Sequence, residues 1–289
     1  TAPAENPNWE LLQDDAVEAD IVFVQLPMRT VPLTTLRGTM QSDVLLGLQY
    51  ILDVCPRDAE VTVNLSWGTL AGSHTGTNLL EAEIDRLVRL HWPRLQVVVP
   101  AGNGYQTRTH ANFQLQPKNC EGSSRTLHWR HQPDDETESF LELWMEECGQ
   151  VEIDIIAPPG QSLPTVKKNN VRFLNYINPV VWPPAWPNVI FAVCYNRFLQ
   201  GGLGFGPGVV MAMAPTTSAD NLRGTTPHGV WRITIRNVTE RKITCDAYIE
   251  RDDDAAGTRQ GARQIQFASC ATRVKRPRAV SRRGEWVCV

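Results

Sequence analysis

Long apolar runs are missing from this sequence. No stretch approaches the ~18 consecutive apolar residues that a membrane-spanning helix needs. A large excess of one charge is missing as well. The formal net charge of −3 gives the whole chain no electrostatic reason to bind nucleic acid. Paired metal-ligand spacings are absent. The seven cysteines, at positions 55, 120, 148, 194, 245, 270 and 288, form no Cys-x-x-Cys, which speaks against a zinc site. An odd number of cysteines cannot pair completely within one chain, and mostly free, buried thiols are expected. Residues 1–20 are polar and acidic, unlike a secretory leader. The expectation is a chain with no cofactor, no metal, no nucleic-acid partner and no membrane span.

What is present is an ordinary globular balance of 42% apolar and 20% charged residues, in a length that accommodates two modest domains. "ADIVFVQLP" (19–27) is an apolar run closed by proline, which predicts a buried strand. "SDVLLGLQYILDVC" (42–55) has apolar residues at helical spacing, with Ser42 placed to cap and Pro56 to stop the helix. "EVTVNLSWG" (60–68) alternates and breaks at Gly68. "TNLLEAEIDRLVRLHW" (77–92) predicts a second amphipathic helix. Leu80, Ile84, Leu87, Val88 and His91 share one face, and Thr77 or Asn78 is available as cap. "LQVVVPAGNG" (95–104) then reads as a strand running into a turn of small residues. The order β-α-β-α-β argues for a parallel sheet. Ligands of such sheets bind beyond the carboxyl ends of the strands. Ser66-Trp67-Gly68 and Ala101-Gly102-Asn103 both lie at carboxyl ends, so topology alone places them on one edge.

Residues 18–106, with those two strand exits, resemble the catalytic domain of the subtilisin-like serine peptidases. The resemblance implies that Ser66, Trp67, Gly68, Ala101 and Gly102 line a substrate cleft that takes a peptide or protein. It implies that the Asn103 side chain donates to the oxyanion of an acyl-transfer intermediate, the one catalytic role it assigns here. Gly-Asn-Gly is also a sequence that a plain left-handed turn accepts. Two positions depart from the family pattern. Trp67 stands where a smaller apolar residue is usual and would narrow or reshape the cleft, and Pro100 stands where a small residue is usual.

Acyl transfer needs a nucleophile, a base and an orienting group. None of the six histidines lies in a His-Gly-Thr-His-like stretch, and no Gly-Thr-Ser occurs. The sequence therefore reads as an internal part of a serine endopeptidase, inactive alone and completed by the remainder of a parent polypeptide. The alternative is a non-catalytic relative, a binding or scaffold protein that kept the cleft and lost the triad.

From 107 the pattern changes. Residues 106–139 are polar, with "HWRH" (128–131) and "DDETE" (134–138). Strand-like runs follow at 140–145, 150–161, 188–195, 208–215, 229–238 and 243–250, separated by Pro/Gly/Asn-rich turns. They predict an all-β jelly roll or β-sandwich. "HGVWRITIRN" (228–237) resembles the jelly-roll modules of some subtilisin-like peptidases, in which Gly-x-Trp opens a central strand. Such an insertion would either select substrates or stabilise the domain. The expected division is an α/β unit over 1–106, a sandwich over 107–268 and a basic connecting segment over 269–289. Three further stretches read more plainly. "PVVWPPAWP" (179–187) suggests aromatics packed on prolines. "HWRH" with Asp134 and Asp135, and "RDDDAAG" (251–257), carry metal-capable atoms without a coordinating pattern. The eight Arg/Lys of 259–289 lack the interleaved aromatics of a single-strand binder.

Overall fold

The computed structural model describes residues 19–26, 38–66, 68, 70, 72–102, 107–145, 149–158, 160–176, 188–196, 208–217, 224–250 and 266–268. The fold is rich in β-structure and carries two helices among the described residues. Helix α1 spans Gly38–Val54, strand β1 Val61–Asn64, helix α2 Leu79–Leu90 and strand β2 Leu95–Val98. β1 and β2 pair in parallel, Val61 opposite Leu95 and Asn64 opposite Val98. Each strand buries alternate residues. Val61, Val63, Leu95 and Val97 face a cluster completed by Val44, Leu48 and Leu52 of α1 and Leu80 and Leu87 of α2. Both helices thus cover one face of the two-stranded sheet. Thr62, Asn64, Gln96 and Val98 on the other face are exposed.

α2 starts where its sequence says. Asn78 accepts from the Glu81 amide at 2.8 Å, and Glu81 returns the bond to the Asn78 amide at 3.0 Å, a complete capping box. α1 corrects its expectation. It begins at Gly38, so Ser42 lies inside the helix instead of capping it. The first predicted strand is also corrected. Residues 19–26 form no strand and pair with none of the described residues. Ile21 is 90% and Phe23 82% exposed. An apolar run without a ladder partner leaves its backbone to water, and hydrophobicity alone does not make it a strand. Val24 and Leu26 instead lie against α1 at Gly47. The described order is therefore α-β-α-β.

The remaining strands are antiparallel. β3 His110–Leu115, β5 Ser139–Met145, β8 Asn170–Tyr176, β9 Asn188–Asn196, β10 Gly208–Met213 and β12 Ile243–Ile249 form one sheet, in the order β3-β12-β5-β10-β9-β8. β4 Ser124–His131, β6 Val151–Ala157, β7 Gln161–Ser162, β11 Gly229–Asn237 and β13 Gln266–Phe267 form the second, in the order β13-β4-β11-β6-β7. The inner faces share one core. Phe191 of one sheet stacks on Trp231 of the other with ring centroids 5.0 Å apart, and the Val151 amide donates to the Tyr195 hydroxyl across the gap. That is the expected two-sheet sandwich. Gly229-Val230-Trp231 does open the central strand of its sheet.

Two strands lie in the polar stretch 106–139, ahead of the strand-like runs read from the sequence. β3 buries Ala111, Phe113 and Leu115, and β4 buries Leu127, Trp129 and His131. The period of two was present in "HANFQL" and "LHWRH". It was hidden because histidine occupies a core position in the second. The same alternation separates the histidines of "HWRH". His131 points inward and His128 outward, so they cannot share a metal ion. No group of three or more metal-capable side chains occurs among the described residues. Cys245 is buried, Cys55 and Cys194 half-buried and Cys120 exposed. "PVVWPPAWP", "RDDDAAG" and the other three cysteines lie outside the described residues.

His131 is fully enclosed. Burial, helped by the charge of His228, lowers its pKa to about 4. The Asp135 carboxylate, at 3.8 Å, is too far for a hydrogen bond to the ring, and burial keeps the imidazole neutral near neutral pH. Between about 4 and the ordinary 6.5 the unfolded chain binds a proton that the folded chain excludes. This contribution is complete above about 6.5 and is lost as pH falls toward about 4. At about pH 4.5 the loss is on the order of 2–3 kcal/mol. Urea unfolding of the wild type and of His131→Leu, at about pH 7.5 and about pH 4.5, checks this. The variant is expected to gain about 2 kcal/mol on the wild type at the lower pH, and a pH-independent difference would show that His131 is not held neutral.

Candidate functional site

The parallel pairing extends one residue beyond the strands, through a 2.9 Å bond from the Leu65 amide to the Val98 carbonyl. Both chains therefore leave the sheet side by side at its carboxyl edge. Ser66 follows β1 by two residues, and Ala101 and Gly102 follow β2 by three and four. Ser66, Gly68, Ala101 and Gly102 are all exposed. The Asn64 amide side chain donates to the Ser66 hydroxyl at 3.1 Å. Trp67 and Asn103 lie outside the described residues. Of the six residues predicted from the sequence, Ser66, Gly68, Ala101 and Gly102 lie among the described residues, each just past the carboxyl end of one of the two parallel strands.

Gly102 adopts φ +85°, a backbone that side chains resist, and an added Cβ would meet nothing within 4 Å. Gly68 also has open space around it but does not take a left-handed φ. The two glycines serve different ends. Gly102 turns the chain at the edge, whereas Gly68 leaves the edge uncovered.

The segment after the first exit, residues 72–78, crosses to the sandwich. Gly72 (φ 106°), His74 (φ 54°) and Gly76 (φ 74°) all have left-handed backbones, and for His74 this costs of order 1 kcal/mol. The segment meets a grid of side chains on the outer face of the six-stranded sheet. In one row, His110 of β3 and Glu142 of β5 flank Tyr248 of β12. In the next, Asn112 and Trp144 flank Asp246. The Tyr248 ring is held between two imidazoles, His74 at 3.9 Å and His110 at 4.4 Å. Glu142 accepts from the Gly72 amide at 2.7 Å and from the Trp144 indole at 2.8 Å. Asp246 accepts from His110 Nε2 at 2.8 Å and Asn112 Nδ2 at 2.9 Å. A carboxylate and a carbonyl only accept, so His110 carries its proton on Nε2, and His74, bonded through Nδ1 to the Gly72 carbonyl at 2.9 Å, carries one on Nδ1.

Burial works against the Asp246 charge. The bonds from His110 and Asn112, with the charges of His110 and His74, nevertheless hold its carboxyl below the ordinary carboxylate range. Burial and the neighbouring Asp246 push Tyr248 up to about 12, so its hydroxyl stays protonated. The linear sequence does not disclose this grid. Its members stand two apart on three strands, His110-x-Asn112, Glu142-x-Trp144 and Asp246-x-Tyr248, so the outward periodicity was readable. Only the sheet order brings the three pairs together.

No protein-family model matches the sequence, and no curated protein matches it. Among solved structures the chain is similar to the Clostridium perfringens CspB protease, with a TM-score of 0.60 and 17% identity. The match covers 79% of this chain and 41% of that one, so the chain spans about two fifths of that protease's length. At such identity the likeness is one of fold.

Replacing Gly102 by Ala is expected to cost about 1 kcal/mol in chemical unfolding, from the backbone alone. Gly68→Ala is expected to cost less than about 0.5 kcal/mol. Equal costs at the two positions would remove the distinction between a turn glycine and a clearance glycine.

Proposed function

We propose that this chain is a portion of a subtilisin-like serine endopeptidase, supplying the cleft wall and the oxyanion donor while the nucleophile and its base come from elsewhere in the polypeptide. The observation that carries this reading is the side-by-side exit of β1 and β2 at one carboxyl edge, lined by exposed Ser66, Gly68, Ala101 and Gly102. In this reading a peptide substrate laid along that edge meets the backbone of small, exposed residues, and acyl transfer there is run by positioned hydrogen-bond donors. Asn103 follows directly on the turning glycine. In this reading its side-chain N–H₂ donates to the oxygen on which negative charge develops, and Trp67 would narrow or reshape the cleft. The fold likeness to a protease supports the reading at the level of architecture. Two further features support a site completed by other chain: both helices lie on one face of a two-stranded parallel sheet, and the opposite face is exposed. Parallel sheets are ordinarily covered on both faces.

The proposed division of labour gives a two-part test. The 289-residue chain alone is expected to show no peptide turnover, and hydrolysis that follows it through purification would contradict the reading. In the complete polypeptide, Asn103→Ala is expected to lower kcat by about 10²–10³ with little change in KM, the size of effect associated with an oxyanion asparagine in a subtilisin. An unchanged kcat would leave Asn103 as a turn residue only.

A further inference from the structure

The two apolar cores share no residue. Between the strand exit and the sandwich, the structure joins them through polar and aromatic contacts at the grid described above. These groups are only partly enclosed, with the His110 side chain 38% and that of Asp246 32% exposed. A junction of this kind opens without exposing either core, so its free energy is separate from that of unfolding. It also lies next in the chain to the exit. Gly72 is four residues from Gly68, and among the described residues before the Asn78 cap Gly72, His74 and Gly76 take left-handed backbones that no helix or strand imposes.

We propose that residues 72–78 are a strap gripped by the sandwich through Tyr248 and Glu142, and that this grip sets the position of the Ser66–Gly68 exit. Tyr248 and Glu142 are then positioning residues for the edge, acting through the strap and touching no substrate themselves. The stack on His74 fixes the middle of the strap in its left-handed conformation. The Glu142 carboxylate fixes its start, because the Gly72 amide has its acceptor there. His110 and Asp246 hold Tyr248 from the far side, His110 by stacking on the ring and Asp246 by orienting His110. The sandwich thereby acquires a task at the edge that neither substrate selection nor general stabilisation describes. Any ligand that shifts the outer face of the six-stranded sheet would be felt at the exit, and the reverse.

The strap itself does not depend on the peptidase reading, which supplies only the purpose of the edge. Hydrogen–deuterium exchange of the 289-residue chain, read by mass spectrometry on peptides covering 62–78, tests it. Tyr248→Ala and Glu142→Ala are expected to raise exchange across 66–78 about tenfold or more, while β6 and β11 in the sandwich core keep their protection. Tyr248→Phe retains the ring and Glu142→Gln retains an acceptor, so both are expected to stay within about twofold of the wild type. His74→Ala approaches from the strap side and cannot disturb a sandwich strand. It is expected to reproduce the Tyr248→Ala result, which guards against a variant that merely loosens the sheet. Exchange over 66–78 that ignores His74→Ala and Glu142→Ala, or that rises equally in β6 and β11, overturns the proposal. If Asn103→Ala leaves activity of the complete polypeptide untouched while the strap variants behave as stated, the cleft reading falls and the strap stands.

Discussion

The parallel register of β1 with β2 is the constraint on which the rest of the edge depends. A parallel pair cannot be closed by a tight turn, so the chain must cross over, and α2 is the crossover. The crossover needs a helix that starts sharply, which the Asn78–Glu81 box provides. The segment before that box must then travel from the end of β1 to the start of α2, and residues 72–78 do so over the face of the sandwich. Had the strands paired antiparallel, the exits at Ser66 and Gly102 would lie at opposite ends. No edge would gather their small residues.

The two halves of the molecule are held by different physics. The sandwich closes a large core with Trp129, Trp231, Phe191 and Tyr195 fully enclosed, the kind of burial that stabilises by ~2 kcal/mol or more per side chain. The α/β half buries mainly Leu and Val on one side of two short strands. It exposes Leu46, Tyr50 and Val54 along the outside of α1, and Val98 and Val99 at the end of β2. Left to itself, a two-stranded sheet of this kind is marginal. The strap and the grid beneath it supply part of the order that the small core lacks, using stacking and charge-assisted hydrogen bonds where apolar area is scarce.

Much of this was readable from sequence, and what was not has physical reasons. Both helices, β1, β2 and six of the sandwich strands follow from periodicity, and of the two caps the sequence offered for α2, Thr77 and Asn78, the structure uses Asn78. "ADIVFVQLP" misled because apolar composition reports a preference for burial, whereas a strand also needs a partner with free hydrogen-bonding groups. β3 and β4 were missed because polar residues alternate with their core residues and one core residue is His131. The shared edge of Ser66, Gly68, Ala101 and Gly102 was legible because carboxyl ends of parallel strands are fixed by topology. The grid was not, since β3, β5 and β12 become neighbours only through pairings more than a hundred residues apart in sequence, Asp246 with Asn112 among them.

On our proposal this edge belongs to a serine peptidase site completed by other parts of one polypeptide. The decisive measurement is the coding sequence in frame on both sides of these 289 residues. An aspartate and a His-Gly-Thr-His-like stretch are expected upstream, and a Gly-Thr-Ser motif at a helix start downstream. Flanks that lack these residues, or a reading frame that opens and closes at the two ends of the segment, would contradict it.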